Sequence, residues 1–228
     1  MAMRFDHAPT EGGVEITRMS GTDRRMEIPE EIDGMPVVSL GEQILAQSPG
    51  GSGRTLVIPG TVVRASPETL EGSSGISRIE YRGELEAFCR LKLRSYSDCE
   101  VECRENGRDF TFLFIANTPM SFPEFDEAIL TMYLGLTPEM AINRLSDPVE
   151  LTDANREHYE RFVSDRIMPG AEQAVSDGDC PGLSEIIGTG MVSDADLRRL
   201  LERSLRSGRI PVTSLLMSEI RRRSLKNR

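Results

Sequence analysis

The sequence has no tryptophan and few other aromatic residues, with eight Phe and four Tyr in 228 residues. Leu, Ile, Val and Met must therefore supply most of any hydrophobic core. Lysine is also scarce, because only Lys92 and Lys226 occur among 27 basic residues and the others are arginine. This bias is typical of a GC-rich bacterial genome and does not by itself indicate a binding site.

Long apolar segments are missing as well. No stretch approaches the roughly 18 consecutive apolar residues of a membrane-spanning helix, and residues 1–7 contain no apolar segment of the kind found in signal peptides. We therefore expect a cytoplasmic protein without membrane insertion. A protein on the cell surface or outside the cell is the alternative.

Residues for metal or disulfide chemistry are few and scattered. The two histidines, His7 and His158, lie far in sequence from the four cysteines, and no Cys-x-x-Cys pair occurs. Cys99 and Cys103 would lie about 13 Å apart on one strand, since a strand rises about 3.3 Å per residue, which is too far for a disulfide. We expect reduced, buried thiols, no metal site and no cofactor.

The net charge of −10 is unevenly distributed. Residues 1–120 carry −6, residues 121–220 carry −9, and the last eight residues add +5. An acidic body is a poor electrostatic partner for nucleic acid or anionic lipid. The charge instead favours a basic protein as the partner, with the basic end interpreted as a solvated helix terminus.

A short motif occurs more than once in the first half of the chain. Met26-Glu27-Ile28-Pro29 returns as Leu56-Val57-Ile58-Pro59, and Ile79-Glu80-Tyr81 begins a third copy 23 residues after Leu56. A period in the range of about 20–29 residues, with one short alternating strand in each unit, is typical of a leucine-rich solenoid. Each proline should end its strand, because proline lacks the N–H group that a sheet requires.

Several short segments between residues 14 and 96 follow a common repeat pattern: Ile28-Pro29, the insertion Ile32-Asp33-Gly34-Met35-Pro36-Val37, Leu40-Gly41 and Ile58-Pro59. With these segments, residues 14–96 resemble the BspA-type bacterial leucine-rich repeats. The resemblance implies a short solenoid, and an adhesin-type surface protein is the function common in that family. The usual terminal Phe is replaced by Leu45 and Leu70, and the third unit loses the pattern after Tyr81.

A β-hairpin is predicted to cap the solenoid. Residues 99–104 and 108–114 alternate in polarity on either side of Asn106-Gly107, which is a strong hairpin signal because both residues accept positive φ. From residue 122 onward the apolar period changes to that of helices. We therefore expect an α+β protein with a capped leucine-rich-repeat solenoid over residues 1–118 and an all-α domain over residues 119–228.

The second half is predicted to contain helical hairpins. Gly178, Cys180 and Pro181 align at an offset of 30 residues with Gly208, Ile210 and Pro211, which weakly resembles divergent ankyrin-type repeats. One helix should present an apolar stripe made of Leu197, Leu200, Leu201 and Leu205. The predicted helices are 124–133, 138–146, 153–167, 170–177, 183–188, 194–207 and 212–224.

No catalytic motif stands out. The sequence lacks the Gly-x-Ser-x-Gly, phosphate-loop and His-Glu-x-x-His patterns. The prediction is a non-enzymatic protein-interaction or scaffold module, with an adhesin, or an enzyme with a site at the domain junction near residues 115–125, as alternatives. The candidate protein-binding surface is the strand-bearing face, and the oligomeric state stays open. The residues assigned to this surface are Glu27, Arg54, Arg78 and Glu80.

Overall fold

The computed structural model describes residues 3–46, 51–73, 75–132, 136–188 and 190–226. The protein is of mixed α and β structure and divides into two compact units, Met1–Gly135 and Leu136–Arg228. The strands are β1 Arg4–Thr10, β2 Gly13–Ser20, β3 Arg25–Glu27, β4 Glu31–Ile32, β5 Met35–Leu40, β6 Arg54–Ile58, β7 Arg64–Ala65, β8 Ile76–Glu84, β9 Cys99–Glu105 and β10 Arg108–Phe114. The helices are α1 Leu85–Arg90, α2 Glu124–Met132, α3 Pro138–Ser146, α4 Asp153–Asp177, α5 Cys180–Gly188, α6 Asp194–Ser207 and α7 Ile210–Lys226.

The first unit has a β-solenoid-like arrangement. One sheet has the order β10-β9-β8-β6-β3, and a second sheet contains β1-β2-β5-β4 with β7 paired to β5. The pairs β3 with β6, β6 with β8, and β8 with β9 are all parallel. The pairs β2 with β5 and β5 with β7 are parallel as well. From β2 to β8 the chain alternates between the two sheets and pairs in parallel with the strand one coil away, which is the path of a coil. The hairpins β1–β2, β4–β5 and β9–β10 are antiparallel.

The sequence repeat corresponds to this strand register. Met26 pairs with Leu56, Leu56 with Ile79, and Ile79 with Val101. All four of these side chains have no solvent exposure. The repeated apolar positions therefore form one continuous inward row. Two residues after Met26 and Leu56, Ile28 just beyond β3 and Ile58 at the end of β6 are buried in the same way.

The predicted hairpin turn at Asn106-Gly107 is present, and a second turn has the same backbone conformation. Asn106 and Gly107 connect β9 to β10 with φ of 51° and 76°. Asp33 and Gly34 connect β4 to β5 with φ of 52° and 77°. Positive φ at both central residues matches the twist of a two-residue hairpin.

An aromatic cluster extends the first unit beyond the predicted boundary at residue 118. Phe125 of α2 lies 5.1 Å from Phe112 and 5.2 Å from Phe114 between ring centroids. Phe122 lies 5.2 Å from Phe112. Because these rings pack against the β10 side of the sheet, residues 119–132 and helix α2 lie in the first unit.

The second unit consists of helices. Three of them begin at capping residues: the side chains of Thr137, Thr152 and Ser193 accept hydrogen bonds from the backbone N–H group three residues later, at 3.0–3.2 Å. Helices α4 and α6 both end at a glycine in the left-handed conformation, Gly178 with φ 78° and Gly208 with φ 66°. The core contains residues from α4 to α7, including Val175, Leu183, Leu200 and Leu216.

The prediction of separate helices at 153–167 and 170–177 is wrong, because α4 runs unbroken over 25 residues with Pro169 inside it. Met168 and Ala171 on either side of the proline are buried in the core, and this packing maintains the helix although Pro169 removes one backbone hydrogen bond. The predicted start of another helix at 183 is late by three residues. Residue 133, where the first predicted helix ended, lies outside the described residues.

Candidate interaction surface

The outer face of the parallel sheet is organised in two rows of side chains that flank the buried row. Arg25, Thr55, Arg78 and Glu100 occupy equivalent positions in β3, β6, β8 and β9. Glu27, Val57, Glu80 and Glu102 form the second row in the same strands. Since successive side chains of a strand point to opposite faces, both rows lie on the side opposite the solenoid core. We call this surface the strand face.

Three of the four residues predicted for binding lie on the strand face. Glu27 is exposed, and Arg78 and Glu80 are half-buried. The structure therefore brings these three residues together on neighbouring strands of one sheet.

The fourth residue, Arg54, does not belong to this surface. It is only 3% exposed, because it is two residues before Leu56 and shares its inward direction. The guanidinium donates to the sulfur of Met26, and burial lowers the pKa of Arg54. The expectation that Arg54 is an exposed contact residue was wrong, although the alternation along β6 was sufficient to exclude it.

Two ion pairs cross strand β6 on the strand face. Arg25 of β3 donates to Glu80 of β8 at 2.8 Å between Nη2 and Oε2. In the opposite direction, Arg82 of β8 donates to Glu27 of β3. Each pair joins the two strands that flank β6. The long arginine side chains therefore lie across the strand between them.

Val57 is located beneath these ion pairs. Its side chain points to the outer side of the sheet, yet it has no solvent exposure. Its neighbours in the same row are Glu27 and Glu80, whose carboxylates accept the crossing hydrogen bonds. The crossing arginines thus have a second role besides neutralising charge, because the methylene groups of Arg25 and Arg82 shield Val57 from water.

On the β9 side of the strand face, Arg78 forms ion pairs with two glutamates. Its guanidinium donates to Glu100 at 2.6 Å and also to Glu102 of β9. Two carboxylates of β9 thus share one positively charged hydrogen-bond donor. In the ion-pair network of the strand face, three arginines pair with four glutamates, and the surplus carboxylate is at Arg78, which pairs with two of them.

The electrostatic environment agrees with this geometry. The hydrogen bond from Arg25 is the main cause that lowers the pKa of Glu80, and the positive charges of Arg25, Arg78 and Arg82 act in the same direction. The hydrogen bond to Glu102 raises the pKa of Arg78. Both groups stay ionised at neutral pH, so the face is charged but largely neutralised from within.

Arg25, Arg82, Glu100 and Glu102 complete the network. Arg25 and Glu100 could have been found from the sequence. Each lies one residue before the repeated apolar position of its strand, Met26 or Val101, just as Arg78 lies one residue before Ile79. The crossing of pairs over β6 had no sequence signal, because it joins side chains 55 residues apart.

The cysteines are free and mostly buried. Cys89, Cys99 and Cys103 are buried, and Cys180 is partly exposed. Burial raises the pKa of Cys99 and of Cys103 to about 12. These two thiols are therefore protonated at neutral pH and are poor nucleophiles.

Two further properties apply to the described residues. Within residues 3–46, 51–73, 75–132, 136–188 and 190–226, no cluster of three or more His, Cys, Asp or Glu side chains is arranged to hold a metal ion. In that same part of the chain, no helix combines the length and apolar character needed to cross a membrane.

Comparisons with known proteins give no assignment. The sequence matches no protein-family model, and neither a curated protein nor a solved structure matches the chain.

Proposed function

We propose that the chain is a non-enzymatic protein-interaction or scaffold module, built from a short leucine-rich-repeat-type solenoid and a divergent helical-repeat unit. The parallel strand register with a buried repeated row supports the first assignment. The two helix pairs of the second unit, in each of which the first helix ends at a glycine, support the assignment of a helical-repeat unit. Repeat architectures of both kinds provide extended surfaces and need no cofactor for binding.

The observation that carries the proposal is the strand face. Ion pairs between strands hold its side chains in fixed positions. These side chains therefore lose less conformational entropy when a partner binds. Within the ion-pair network the charge is balanced near β3 and negative around Arg78, which Glu100 and Glu102 of β9 share. A basic segment of a partner protein fits the β9 side of the face.

The test begins with affinity capture from the source cell and identification of the partner. Binding of the purified pair is then measured by calorimetry for the wild type and for the double variant Glu100→Arg with Glu102→Arg. We expect the affinity to fall by at least about tenfold at low salt, and the difference to shrink as the screening length approaches about 8 Å at physiological ionic strength. The neutral variants Glu100→Gln and Glu102→Gln should give an intermediate loss.

A matched control is Glu157→Arg, which reverses an exposed, ion-paired carboxylate of α4 in the second unit. It should bind as the wild type does. Equal binding by the wild type and the β9 double variant would refute the assignment of the surface. Turnover of a small molecule that is lost on substitution of a single Cys or acidic residue would instead establish an enzyme.

A further inference from the structure

The two helix pairs of the second unit repeat each other at an offset of 30 residues. Gly178 corresponds to Gly208, and both have left-handed backbone conformation. The next helix begins two residues later in both cases, at Cys180 and at Ile210. The pairs α4–α5 and α6–α7 are therefore equivalent position by position around this turn.

Equivalent apolar residues differ sharply in exposure. Val175 of the first pair has no exposure, whereas its counterpart Leu205 is 59% exposed. Ile187 is 7% exposed and its counterpart Met217 is 56% exposed. In the first pair these positions are covered because α6 packs on α4 and α7 packs on α5. In the described residues of the second unit, no further helix pair covers the same side of α6–α7.

This uncovered side is an apolar surface that we call the open helical face. It corrects the predicted leucine stripe, because Leu197 and Leu200 are buried in the core while Leu205 faces solvent. Leu201 and Ile220 are half-buried at its inner side. Its exposed members are Leu205, Met217 and, beside the turn, Ile210, which is 76% exposed.

An ion pair shows the same contrast between the two pairs. Glu172 of α4 accepts hydrogen bonds from Arg203 at 3.0 Å and from Arg199 of α6, and its side chain is 22% exposed. Its counterpart Glu202 has 71% side-chain exposure, and its one ion pair among the described residues is a 3.9 Å contact with Arg206 of its own helix. Within that part of the chain, the ion pairs that join α4 to α6 have no equivalent on the exposed side of α6.

The charge around the open helical face is positive. Residues 194–226 contain nine basic and four acidic residues, in a chain whose net charge is −10. Among the described residues, Arg198, Arg209 and Arg221 form no ion pair with a carboxylate. By helical periodicity Arg198 lies on the same side of α6 as Leu205, and Arg221 lies one turn from Met217 on α7. An apolar centre is thus bordered by arginines.

We propose that the open helical face binds an amphipathic helix of a partner protein, with an apolar seam bordered by Asp or Glu. The first helix pair shows that helices cover this kind of surface, and the arginine border determines the charge of the partner. A second copy of the chain would oppose arginines to arginines. Nucleic acid and an anionic lipid surface extend far beyond the arginine border and meet the repulsion of the acidic body, whereas a single helix lies within the border. Nucleic acid also leaves the apolar centre unfilled.

The test uses two amphipathic peptides of about 21 residues, or about six helical turns. They share a leucine seam and differ only in Glu or Arg at the flanking positions. Fluorescence anisotropy with the full chain should show at least about tenfold tighter binding of the Glu peptide at low salt, a preference that weakens with screening. Leu205→Glu and Met217→Glu should abolish binding, and Val63→Glu, at an equally exposed residue of the first unit, should not.

A charge exchange makes the test specific. The double variant Arg198→Glu with Arg221→Glu should prefer the Arg peptide. The proposal is overturned if neither peptide binds, if the Arg peptide binds the wild type as tightly as the Glu peptide does, or if binding survives Leu205→Glu. Self-association that Met217→Glu abolishes, seen by sedimentation velocity, would assign the face to a second copy. Binding to phosphatidylserine vesicles or duplex DNA that the same variant abolishes would assign it to lipid or nucleic acid.

Discussion

Replacement of Ile58 by Ala tests the repeat register of the solenoid. Ile58 has no solvent exposure and belongs to β6, which is flanked by β3 and β8. The substitution removes three carbon atoms, worth about 2.4 kcal/mol at about 0.8 kcal/mol for each. The cavity that remains raises the expected loss in the free energy of unfolding to about 2–5 kcal/mol. Ile58→Val, which removes one carbon, should cost about 0.5–1.5 kcal/mol.

Urea unfolding followed by far-UV circular dichroism gives these losses, and peptide-resolved hydrogen exchange assigns them to the first unit. Val63→Ala is the matched control, because Val63 is 55% exposed, and it should change stability by less than about 0.5 kcal/mol. Ile28→Ala, at the equivalent position of the preceding copy, should resemble Ile58→Ala. A loss below about 0.5 kcal/mol at Ile58 would show that the repeat positions are aligned incorrectly.

Two other predictions concern the second unit. A fragment of residues 136–228 should give a helical circular dichroism spectrum and a cooperative melt, and an unfolded fragment would show that the two units depend on each other. The hydrogen bond from Arg222, aided by Arg223, lowers the pKa of Glu219 to about 2, below the value of about 4.3 in an unfolded chain. Its stabilisation is present above the unfolded pKa and is lost as pH falls toward about 2, so Glu219→Gln should flatten the pH dependence of stability between about pH 5 and 2. An unchanged acid-unfolding profile would contradict this assignment.

The solenoid was the part of the fold most accessible from the sequence. The spacing of Met26, Leu56 and Ile79 predicted three strands, and the structure pairs these residues directly. The reason is that each copy contains its own strand signal, and the first two copies also end in a proline, Pro29 and Pro59. The antiparallel hairpin β1–β2 was missed, since its first strand lies outside the repeat and has no counterpart with which to align it.

The extent of the first unit and the course of α4 depended on contacts that local patterns do not reveal. Phe122 and Phe125 appeared to begin a helical domain, yet their rings pack on Phe112 and Phe114. Pro169 appeared to end a helix, yet packing on both sides preserves it. In each case tertiary packing decided against the local signal.

For the strand face, single residues were easier to predict than their pairing. Alternation placed Glu27, Arg78 and Glu80 outward, and they are outward. The same rule would have removed Arg54 had it been applied from Leu56 backward. The partner of each charge could not be found, because Arg25 and Glu80 come from copies that are not adjacent in the coil.

The ion pairs that cross β6 have a consequence for how this chain can evolve. Arg25 reaches Glu80, and Arg82 reaches Glu27, over two strand spacings of about 4.8 Å each. Repeat proteins commonly gain or lose whole copies by duplication and deletion. Here deletion of the β6 copy would bring each pair one strand closer and remove Val57 from beneath it, and duplication would carry the partners beyond reach. The number of coils between β3 and β8 is thereby tied to this pair of contacts.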